Sequence, residues 1–551
     1  HTDISAKVAE MFNGKQYILF VHKRFDDVRV VYVPPEAIGN YGGDIDNWMW
    51  PRHTGDFSFM RIYMAPDGTG RKFHEANIPY KSKFWLKVAT RGLQKGDMTF
   101  IIGYPGGTTR YRTSNSVDYN FNFSYPRSIK LFQETIDILE SFAQDSINSR
   151  MKVANFIKGL NNGLKNYQGR VDGMKKSRFL DKKLLFENQL ANFLKADKKL
   201  QKKYGHILTD IRALYQGLQA NRDHDDALGL FDYLSGDMAG IAKSLYYIIR
   251  EREKPLADRD PYFSERDIKR KADRLHFKYL SYYEPADKAL LKRSLKLMAE
   301  LDEAKRIKGL DFIFKNRDIS IDQFIEAAYA KTKLKDVEFV KTLFKKSSKE
   351  IEALNDPLLD LARRIYPECE VIKKRNEAFG ARINALRKQY IEALYAWNGA
   401  GMYPDANRTI RFTYGKVEGY SPRDAVYHDP FTLIGGILEK ETGKDPFIVP
   451  DKLKDLYAKK DFGKWTAADV NDIPVAFLHV CDITGGNSGS PVLNARGELV
   501  GIAFDGNYEA MNSDWQYDEQ LQRTISVDIR FVMFITEKFA NAGHILKEMG
   551  L

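Results

Sequence analysis

The feature that most constrains the fold is a change of hydrophobic period that occurs twice along the chain. Residues 1–115 carry short runs of β-branched and aromatic residues, of which Val28–Val33 is an example. Over residues 116–400 the apolar residues recur every three or four positions, with lysine, arginine and glutamate between them. Strand patterns return over residues 401–551, as in Arg408–Val417. The sequence therefore predicts a β-rich domain, an inserted helical domain and a second β-rich domain with these boundaries.

Four stretches give specific helix predictions. Apolar stripes run through Ile129–Phe142, Leu291–Leu301 and Ile383–Trp397, and they are typical of the core of a helix bundle rather than of a cofactor site. A further amphipathic helix is predicted from about Ile529 to Ala540, at the end of the predicted strand Thr524–Arg530.

The composition bounds the class of protein. A chain of 551 residues is too long for one ordinary core, so two or three domains are expected. A hydrophobic content of 43% and an aromatic content of 13% are typical of a folded globular protein. The formal net charge of +12, from 86 basic and 74 acidic residues, is spread along the chain and predicts no nucleic-acid partner. No apolar run is long enough to predict a membrane span.

No cofactor or metal ion is predicted. The sequence lacks a Gly-x-Gly-x-x-Gly motif after a strand, a phosphate-binding loop and a His-Glu-x-x-His pair. Its two cysteines, Cys369 and Cys481, fall in a predicted helix and a predicted strand, and two thiols alone cannot form a zinc site. The chain begins with the polar residues His1–Ser5 and without methionine, which indicates a processed or partial polypeptide.

A glycine-rich loop between two predicted strands carries the strongest chemical signal. The loop, Thr484–Pro491, follows the apolar run Val475–Leu478 and precedes Leu499–Phe504. Ser488 lies among small residues there, so its hydroxyl can be exposed. The N–H groups of Gly486 and Ser488 can point at one oxygen, as an oxyanion hole requires. The loop resembles the nucleophile loop of chymotrypsin-like serine peptidases, with Ser488 as the nucleophile.

A seryl nucleophile needs a base that takes its proton and a third group that orients the base. Asp56, which follows a glycine and stands at the start of a predicted β-strand, is the candidate for the orienting acid. The chymotrypsin order His, Asp, Ser leaves His1, His22 and His53 upstream of it. His53 is assigned to local loop structure, His22 has no small-residue loop around it, and His1 is the terminal residue. No histidine of the chain is therefore assigned as the base.

A second loop makes the resemblance specific. Residues Tyr41–Asp56 are dense in glycine, carboxylates and tryptophan, which indicates a functional loop rather than a connector. The stretch Asp44–Ser58, together with Thr484–Pro491 and Phe504–Asn507, resembles the S46 family of bacterial dipeptidyl peptidases. The resemblance implies a β plus α fold, in which a large all-helical domain is inserted into a chymotrypsin-like double β-barrel. It also implies an exopeptidase that releases dipeptides from oligopeptides with a free N-terminus.

The resemblance further implies a homodimer in the periplasm or at the cell surface, and a role for individual residues. Ser488 is then the nucleophile and Asp56 the triad acid, and the catalytic histidine lies before the first residue of this chain. An asparagine of the helical domain helps to hold the substrate's α-ammonium, and Asn166 matches it best, with Asn162 as the second choice. The other groups of this clamp are Asn47, Trp48 and Asp505, whose amide, aromatic and carboxylate chemistry suits a cation.

Gly506 bears on the side chain accepted at P1, the residue before the cleaved bond. In the acid-preferring branch of the family an arginine at this position pairs with Asp or Glu at P1. A glycine removes that charge and opens room, so the chain resembles the dipeptidyl peptidase 7 type, which prefers aliphatic and aromatic P1 residues. Burial of such a side chain contributes roughly 1.5–3 kcal/mol. The same glycine also suits a turn after the strand.

Two other functions fit the nucleophile loop. A chymotrypsin-fold endopeptidase of the protein-quality-control kind shares the sequence Gly-Asn-Ser-Gly, but the helical insertion and the clamp residues argue against it. A non-catalytic peptide-binding homologue is the second alternative, and it would apply if the upstream histidine is truly absent.

Overall fold

The computed structural model describes residues 3–89, 91–260, 263–316, 319–399, 401–467 and 469–551. Contacts between residues divide it into two compact units. The first comprises residues up to Val117 together with Asn166–Tyr204 and Arg387–Leu551, and the second comprises Asp118–Lys165 and Gly205–Leu386. These contacts group residues 166–204 and 387–399 with the strands, whereas the sequence predicts that both segments belong to the helical domain. The domain boundaries at residues 115 and 400 therefore stay a prediction.

All the described strands belong to the first unit, and all their ladders are antiparallel. In chain order they are β1 (Ile4–Met11), β2 (Gln16–Lys23), β3 (Asp27–Tyr32), β4 (Phe59–Met64), β5 (Ile78–Pro79), β6 (Met98–Gly103), β7 (Arg411–Lys416), β8 (Tyr420–Arg423), β9 (Val426–His428), β10 (Phe431–Leu433), β11 (Pro474–His479), β12 (Ser490–Asn494), β13 (Leu499–Gly506) and β14 (Thr524–Asp528). They form a seven-stranded sheet of order β10-β11-β14-β13-β12-β6-β7, a three-stranded sheet β3-β4-β5, and the hairpins β1-β2 and β8-β9.

The helices range in length from 4 residues in α1 to 42 residues in α17. In chain order they are α1 (Glu36–Gly39), α2 (Gly43–Asp46), α3 (Ser114–Tyr119), α4 (Tyr125–Ala143), α5 (Ile147–Lys176), α6 (Phe179–Ala196), α7 (Lys198–Tyr204), α8 (Ile207–Gly229), α9 (Phe231–Leu234), α10 (Asp237–Glu253), α11 (Glu265–Ser281), α12 (Glu284–Ala299), α13 (Asp311–Phe314), α14 (Ile321–Lys331), α15 (Val337–Leu343), α16 (Ser348–Glu352), α17 (Pro357–Asn398), α18 (Ile434–Glu439), α19 (Asp451–Ala458), α20 (Ile529–Phe534) and α21 (Gly543–Glu548). No helix in the described ranges is both long and apolar enough to cross a membrane.

One of the apolar stripes that the sequence shows, that of α12, lies in the core of the second unit. Leu291, Leu295 and Met298 of α12 are almost completely buried in a core that includes residues of α8, α10, α14 and α17. Its helices begin at recognisable caps: at the start of α14, Ser320 and Gln323 form a reciprocal capping box. The helices predicted over the three stripes are therefore confirmed as α4, α12 and α17, although Leu301 lies beyond the end of α12.

The first unit places its core on both sides of the seven-stranded sheet. Every residue of β11 is buried, which explains why its sequence is a continuous apolar run rather than an alternating one. The strands predicted around the serine loop are confirmed as β11 and β13, and the predicted strand at Arg408–Val417 is confirmed as β7. Cys481 is buried in this unit and Cys369 in the other, and neither cysteine forms a disulfide.

A helix does begin at Ile529, but the prediction that it is amphipathic is wrong. The helix α20 and the first residues of the π-helical turn Ile535–Phe539 are buried on all sides. Arg530 accounts for the apparent polar face, because its guanidinium is buried against Asp528, with Nη2 at 2.7 Å from Oδ2. The strand before the helix ends at Asp528, whose carboxylate caps α20, and so is two residues shorter than predicted.

Candidate active site

The Ser488 loop connects β11 to β12 and is fixed from within. Gly486 and Gly489 have φ of +108° and +84°, values that residues with a side chain rarely adopt. Asn487 is buried, and its Oδ1 accepts a hydrogen bond from the Thr484 amide at 3.2 Å. The Gly485 carbonyl accepts from the Gly106 amide at 2.6 Å, which ties the loop to the segment after β6. The backbone of the loop is thus held in one conformation while the tip remains exposed.

Ser488 stands at that exposed tip. Its Oγ donates to the carbonyl oxygen of Phe504 in β13 at 3.3 Å, so the hydroxyl lies beside the strand that carries Asp505 and Gly506. Within the described ranges, the N–H groups of Gly486 and Ser488 donate to no protein acceptor. Two unused donors next to an exposed hydroxyl are the parts that an oxyanion hole needs.

Asp505 lies at the end of β13 and is buried together with an arginine. Its Oδ2 accepts from Arg52 Nη1 at 2.7 Å and from the Trp48 amide at 3.1 Å, while its Oδ1 accepts from the Gly506 amide at 2.9 Å. Asp505 is 8% exposed and Arg52 is 7% exposed. Burial raises the pKa of Asp505, and the Arg52 guanidinium acts in the opposite direction. The pair joins the loop after α2 to the strand beside the nucleophile.

Trp48 is brought to the same place by an unusual backbone. Its φ is +63°, in the left-handed region, and this conformation directs its amide at Asp505. A Cβ on Gly506 would lie 3.6 Å from Cζ3 of the Trp48 ring and 3.1 Å from Cβ of Ala510. The space next to Gly506 is therefore bordered by an indole ring and a methyl group.

The asparagines predicted for the clamp occupy different settings. Asn47 is half-buried at the end of α2, directly before Trp48. Asn166 lies on α5, on the face of the helix that also carries Gly169 and Gly173. A Cβ on Gly169 would overlap Met511, so this face packs closely on the 3₁₀ turn Tyr508–Asn512 that follows β13. Asn162 belongs to the second unit. The face of α5 that carries Asn166 thus packs on the turn after β13, and the role of Asn166 stays a prediction.

Asp56 is exposed and lies just before β4. The adjoining Gly55 is enclosed, because a Cβ there would overlap the Phe531 ring and meet Ile38. Two residues before Asp56, Thr54 accepts a hydrogen bond from Arg52 Nε at 2.6 Å. Asp56 is therefore on the loop that carries the clamp residues, and its assignment as the triad acid stays a prediction.

Neither His22 nor His53, which were considered as bases, forms a hydrogen bond with the Ser488 hydroxyl, whose partner is the Phe504 carbonyl. His53 is buried against Gly436, where a Cβ would overlap its Nε2, and burial, together with Lys440, lowers its pKa to about 3. His22 is exposed on β2, opposite Ser5. His1 lies outside the described residues. In the described part of the chain no group of histidine, cysteine and carboxylate side chains is arranged to hold a metal ion.

Arg52 is the residue of this site that sequence reasoning missed. It stands inside the loop Tyr41–Asp56, but it was given no role because its partner, Asp505, is 453 positions away in the sequence. A signal was present, because an arginine that becomes buried in a loop rich in tryptophan and glycine needs a carboxylate as its partner.

The chain is similar to known proteins over its whole length. The sequence profile of the family Peptidase S46 matches residues 1–551. The chain is 33% identical over 574 residues to the Asp/Glu-specific dipeptidyl-peptidase of Shewanella putrefaciens, covering 99% of this chain and 77% of that protein. It is also 33% identical over 554 residues to dipeptidyl-peptidase 7 of Phocaeicola vulgatus, covering 99% of this chain and 75% of the relative.

A solved structure agrees with these relatives. The crystal structure of Porphyromonas endodontalis DPP11 in complex with the dipeptide Arg-Glu superposes with a TM-score of 0.83 at 28% identity, over 100% of this chain and 78% of the other. The fold is accordingly a mixed one of many helices and antiparallel sheets, similar to DPP11. The chain belongs to the S46 family of peptidases and is a serine-type dipeptidyl peptidase.

Proposed function

We propose that this dipeptidyl peptidase uses Ser488 as its nucleophile and prefers hydrophobic residues at P1. Ser488 forms an acyl-enzyme with the dipeptide, and the Gly486 and Ser488 amides bind the oxyanion. Asp56 orients a histidine that is not among the residues of this chain. The observation that carries the proposal is the hydrogen bond of 3.3 Å from Ser488 Oγ to Phe504 O, because Asp505 and Gly506 follow Phe504 in the same strand.

The same strand supplies the recognition of the substrate's N-terminus. The Asp505 carboxylate pairs with the α-ammonium, and Asn47, Trp48 and Asn166 complete the clamp. A clamp beside the nucleophile would admit only a short N-terminal segment of the substrate, which fits the release of dipeptides. Removal of one oxyanion donor typically costs about 2.7–4 kcal/mol of transition-state stabilisation.

The preference at P1 follows from the surroundings of Gly506. Two arginines near Gly506 are already engaged: Arg52 with Asp505, and Arg523 with the backbone carbonyls of residues 418, 419, 519 and 522. An acidic P1 side chain would find the Trp48 ring and Ala510 there instead of a cation. An aliphatic or aromatic side chain would bury apolar surface at the same place, worth roughly 1.5–3 kcal/mol.

The alternative is an acid-preferring enzyme, and the names of several relatives favour it. The proteins of Shewanella putrefaciens and Flavobacterium psychrophilum are named Asp/Glu-specific, whereas those of Phocaeicola vulgatus and Porphyromonas gingivalis are named dipeptidyl-peptidase 7. Since both groups are about equally similar to this chain, overall identity does not decide between them, and the proposal of a hydrophobic P1 preference rests on the glycine at position 506.

The proposal extends to architecture and location. The strands form a chymotrypsin-like double β-barrel into which the helical domain is inserted, and the protein acts as a homodimer in the periplasm or at the cell surface of a Gram-negative bacterium. Its partners are oligopeptides with a free N-terminus. Light scattering after size exclusion measures the oligomeric state, and cell fractionation measures the location.

A panel of dipeptidyl substrates tests the specificity. We expect kcat/KM to be higher with Leu or Phe at P1 than with Glu, and a fluorophosphonate probe to label Ser488 and not the Ser488→Ala variant. Faster hydrolysis with Glu at P1 would show that the acid-preferring alternative is right. Absence of labelling in the full-length protein would favour the non-catalytic peptide binder, and cleavage of internal bonds would favour the endopeptidase.

A further inference from the structure

Arg52 is held more firmly than a simple ion pair requires. Its Nη1 donates to Asp505 Oδ2 at 2.7 Å and to the Asp46 carbonyl at 2.8 Å, and its Nε donates to Thr54 Oγ1 at 2.6 Å. The guanidinium carbon also lies 5.0 Å from the centre of the Phe504 ring. Contacts with the backbone, a hydroxyl and a ring fix the guanidinium before any substrate binds, so it acts as a rigid support for the carboxylate.

The hydrogen bonds of Asp505 leave room for one more donor. A carboxylate has about four lone-pair sites, two on each oxygen. Oδ2 already accepts from Arg52 and from the Trp48 amide, whereas Oδ1 accepts only from the Gly506 amide within the described residues. The remaining site is therefore on Oδ1, on the side of the carboxylate that carries Gly506.

A buried carboxylate can serve a cation only while it is ionised. Burial raises the pKa of Asp505, and Arg52 is the charged group that opposes this change. The other charged side chains of the adjoining elements are engaged elsewhere: Asp46 pairs with Lys440, Glu509 accepts from Tyr420 and Asn507, and Arg523 donates to backbone carbonyls. Among the described residues, Arg52 is therefore the cation that favours the charged form of Asp505.

We propose that Arg52 is a positioning residue of the ammonium clamp, which keeps the Asp505 carboxylate charged and turned so that Oδ1 receives the substrate's α-ammonium. The inference rests on the proposed function, because it assigns the support for Asp505 in that function. Arg52 itself does not touch the substrate. Its effect is carried entirely by Asp505, so the two residues must behave as a unit.

The test uses Arg52→Met in the full-length protein, with a dipeptidyl substrate that has a free N-terminus. We expect kcat/KM to fall by roughly 30-fold or more, since one partner of a buried charge pair is removed. The acidic limb of the kcat/KM profile moves to higher pH, whereas the pH dependence of labelling by an amine-free fluorophosphonate does not move. Arg61→Met, which removes the partner of Glu548 at the surface, is the matched control and leaves both profiles unchanged.

A double-mutant cycle with Asp505→Asn separates positioning from general damage. Because Arg52 acts through Asp505, Arg52→Met should add no further loss in the Asp505→Asn background. Additive losses, or an acidic limb that stays in place in Arg52→Met, would overturn the proposal. Should Arg52→Met fail to fold, Arg52→Lys carries the test, because lysine keeps the charge but cannot reach all three acceptors. We then expect a loss of about fivefold or more, and a wild-type kcat/KM would refute the inference.

The outcomes distinguish this inference from the proposed function. If the wild-type protein neither cleaves free dipeptidyl substrates nor reacts with the probe at Ser488, the proposed function fails. If the wild-type protein does both, and Arg52→Met keeps its kcat/KM and its pH profile, only the role of Arg52 fails.

Discussion

Replacement of Gly506 by arginine should change the P1 preference from hydrophobic to acidic. The backbone at this position does not lie in the left-handed region, so a side chain can be accepted there. Its Cβ would be 3.1 Å from Ala510 Cβ, which requires a shift of a few tenths of an ångström, and the chain would then extend past the Trp48 ring. A guanidinium in this space can pair with a Glu side chain at P1 and excludes a Leu side chain from it.

The expected change in P1 preference is the sum of two free-energy contributions. A hydrogen bond between charged groups contributes about 1.5–3 kcal/mol for Glu, and the lost apolar burial costs about 1.5–3 kcal/mol for Leu. With the lower end of each range, the preference changes by about 3 kcal/mol, or roughly 150-fold in the ratio of kcat/KM for Glu to kcat/KM for Leu.

The assay measures kcat/KM with Glu and with Leu at P1 for the wild-type protein, Gly506→Arg and Gly506→Met. Methionine makes the same demand on Ala510 and fills similar space without a charge, so it should slow both substrates and gain nothing for Glu. If the Glu-to-Leu ratio of Gly506→Arg stays within about tenfold of that of Gly506→Met, Gly506 does not border the P1 side chain and the assignment of the pocket is wrong.

Two further predictions concern the fold around the site. His479 is neutral when folded, because burial lowers its pKa to about 3, whereas the unfolded chain takes up a proton below about pH 6.5. Acidification from pH 7.5 to 5 should therefore lower the free energy of unfolding by about 2 kcal/mol through this residue. In His479→Gln the same acidification should lower the free energy of unfolding by that much less, as measured by urea unfolding followed by tryptophan fluorescence. His22→Gln, at an exposed position, is the control. An equal decrease in the free energy of unfolding on acidification in the wild-type protein and in both variants would contradict the prediction. A Cβ on Gly103 would overlap the Asn487 amide and Ser490 Oγ beneath the nucleophile loop, so Gly103→Ala should slow fluorophosphonate labelling of Ser488 by roughly tenfold or more. Gly107→Ala meets only an ordinary contact of 3.7 Å and should label at the wild-type rate; equal rates for the two variants would refute the account of the loop.

The elements that could be predicted from the sequence are those that the pattern of their own residues defines. The apolar run of β11, the stripes of α4, α12 and α17, and the glycines of the Ser488 loop each specify a local structure regardless of what lies elsewhere. The C-terminal helix shows the limit of this reasoning. Arg530 looks like part of a solvated face, and only its buried pair with Asp528 shows that the face points inward.

The candidate site was predicted in its parts but not in its connections. Trp48, Asp505 and Gly506 were selected from the sequence by resemblance, and the structure brings all three together. The left-handed backbone of Trp48 and the pair between Arg52 and Asp505 depend on contacts between distant parts of the chain. No local pattern specifies such contacts, so the arrangement of the carboxylate could be learned only from the three-dimensional structure.

The most direct test of the central claim compares one peptide in two forms, with its N-terminus free or acetylated, in the full-length protein and in Asp505→Asn. The account predicts that the wild-type protein hydrolyses the free form at least 100-fold faster, since acetylation removes a charge from a buried pair, and that Asp505→Asn loses most of this difference by slowing the free form alone. Equal rates for the free and acetylated peptide in the wild-type protein would contradict the claim that Ser488 works beside a site for the substrate's ammonium group.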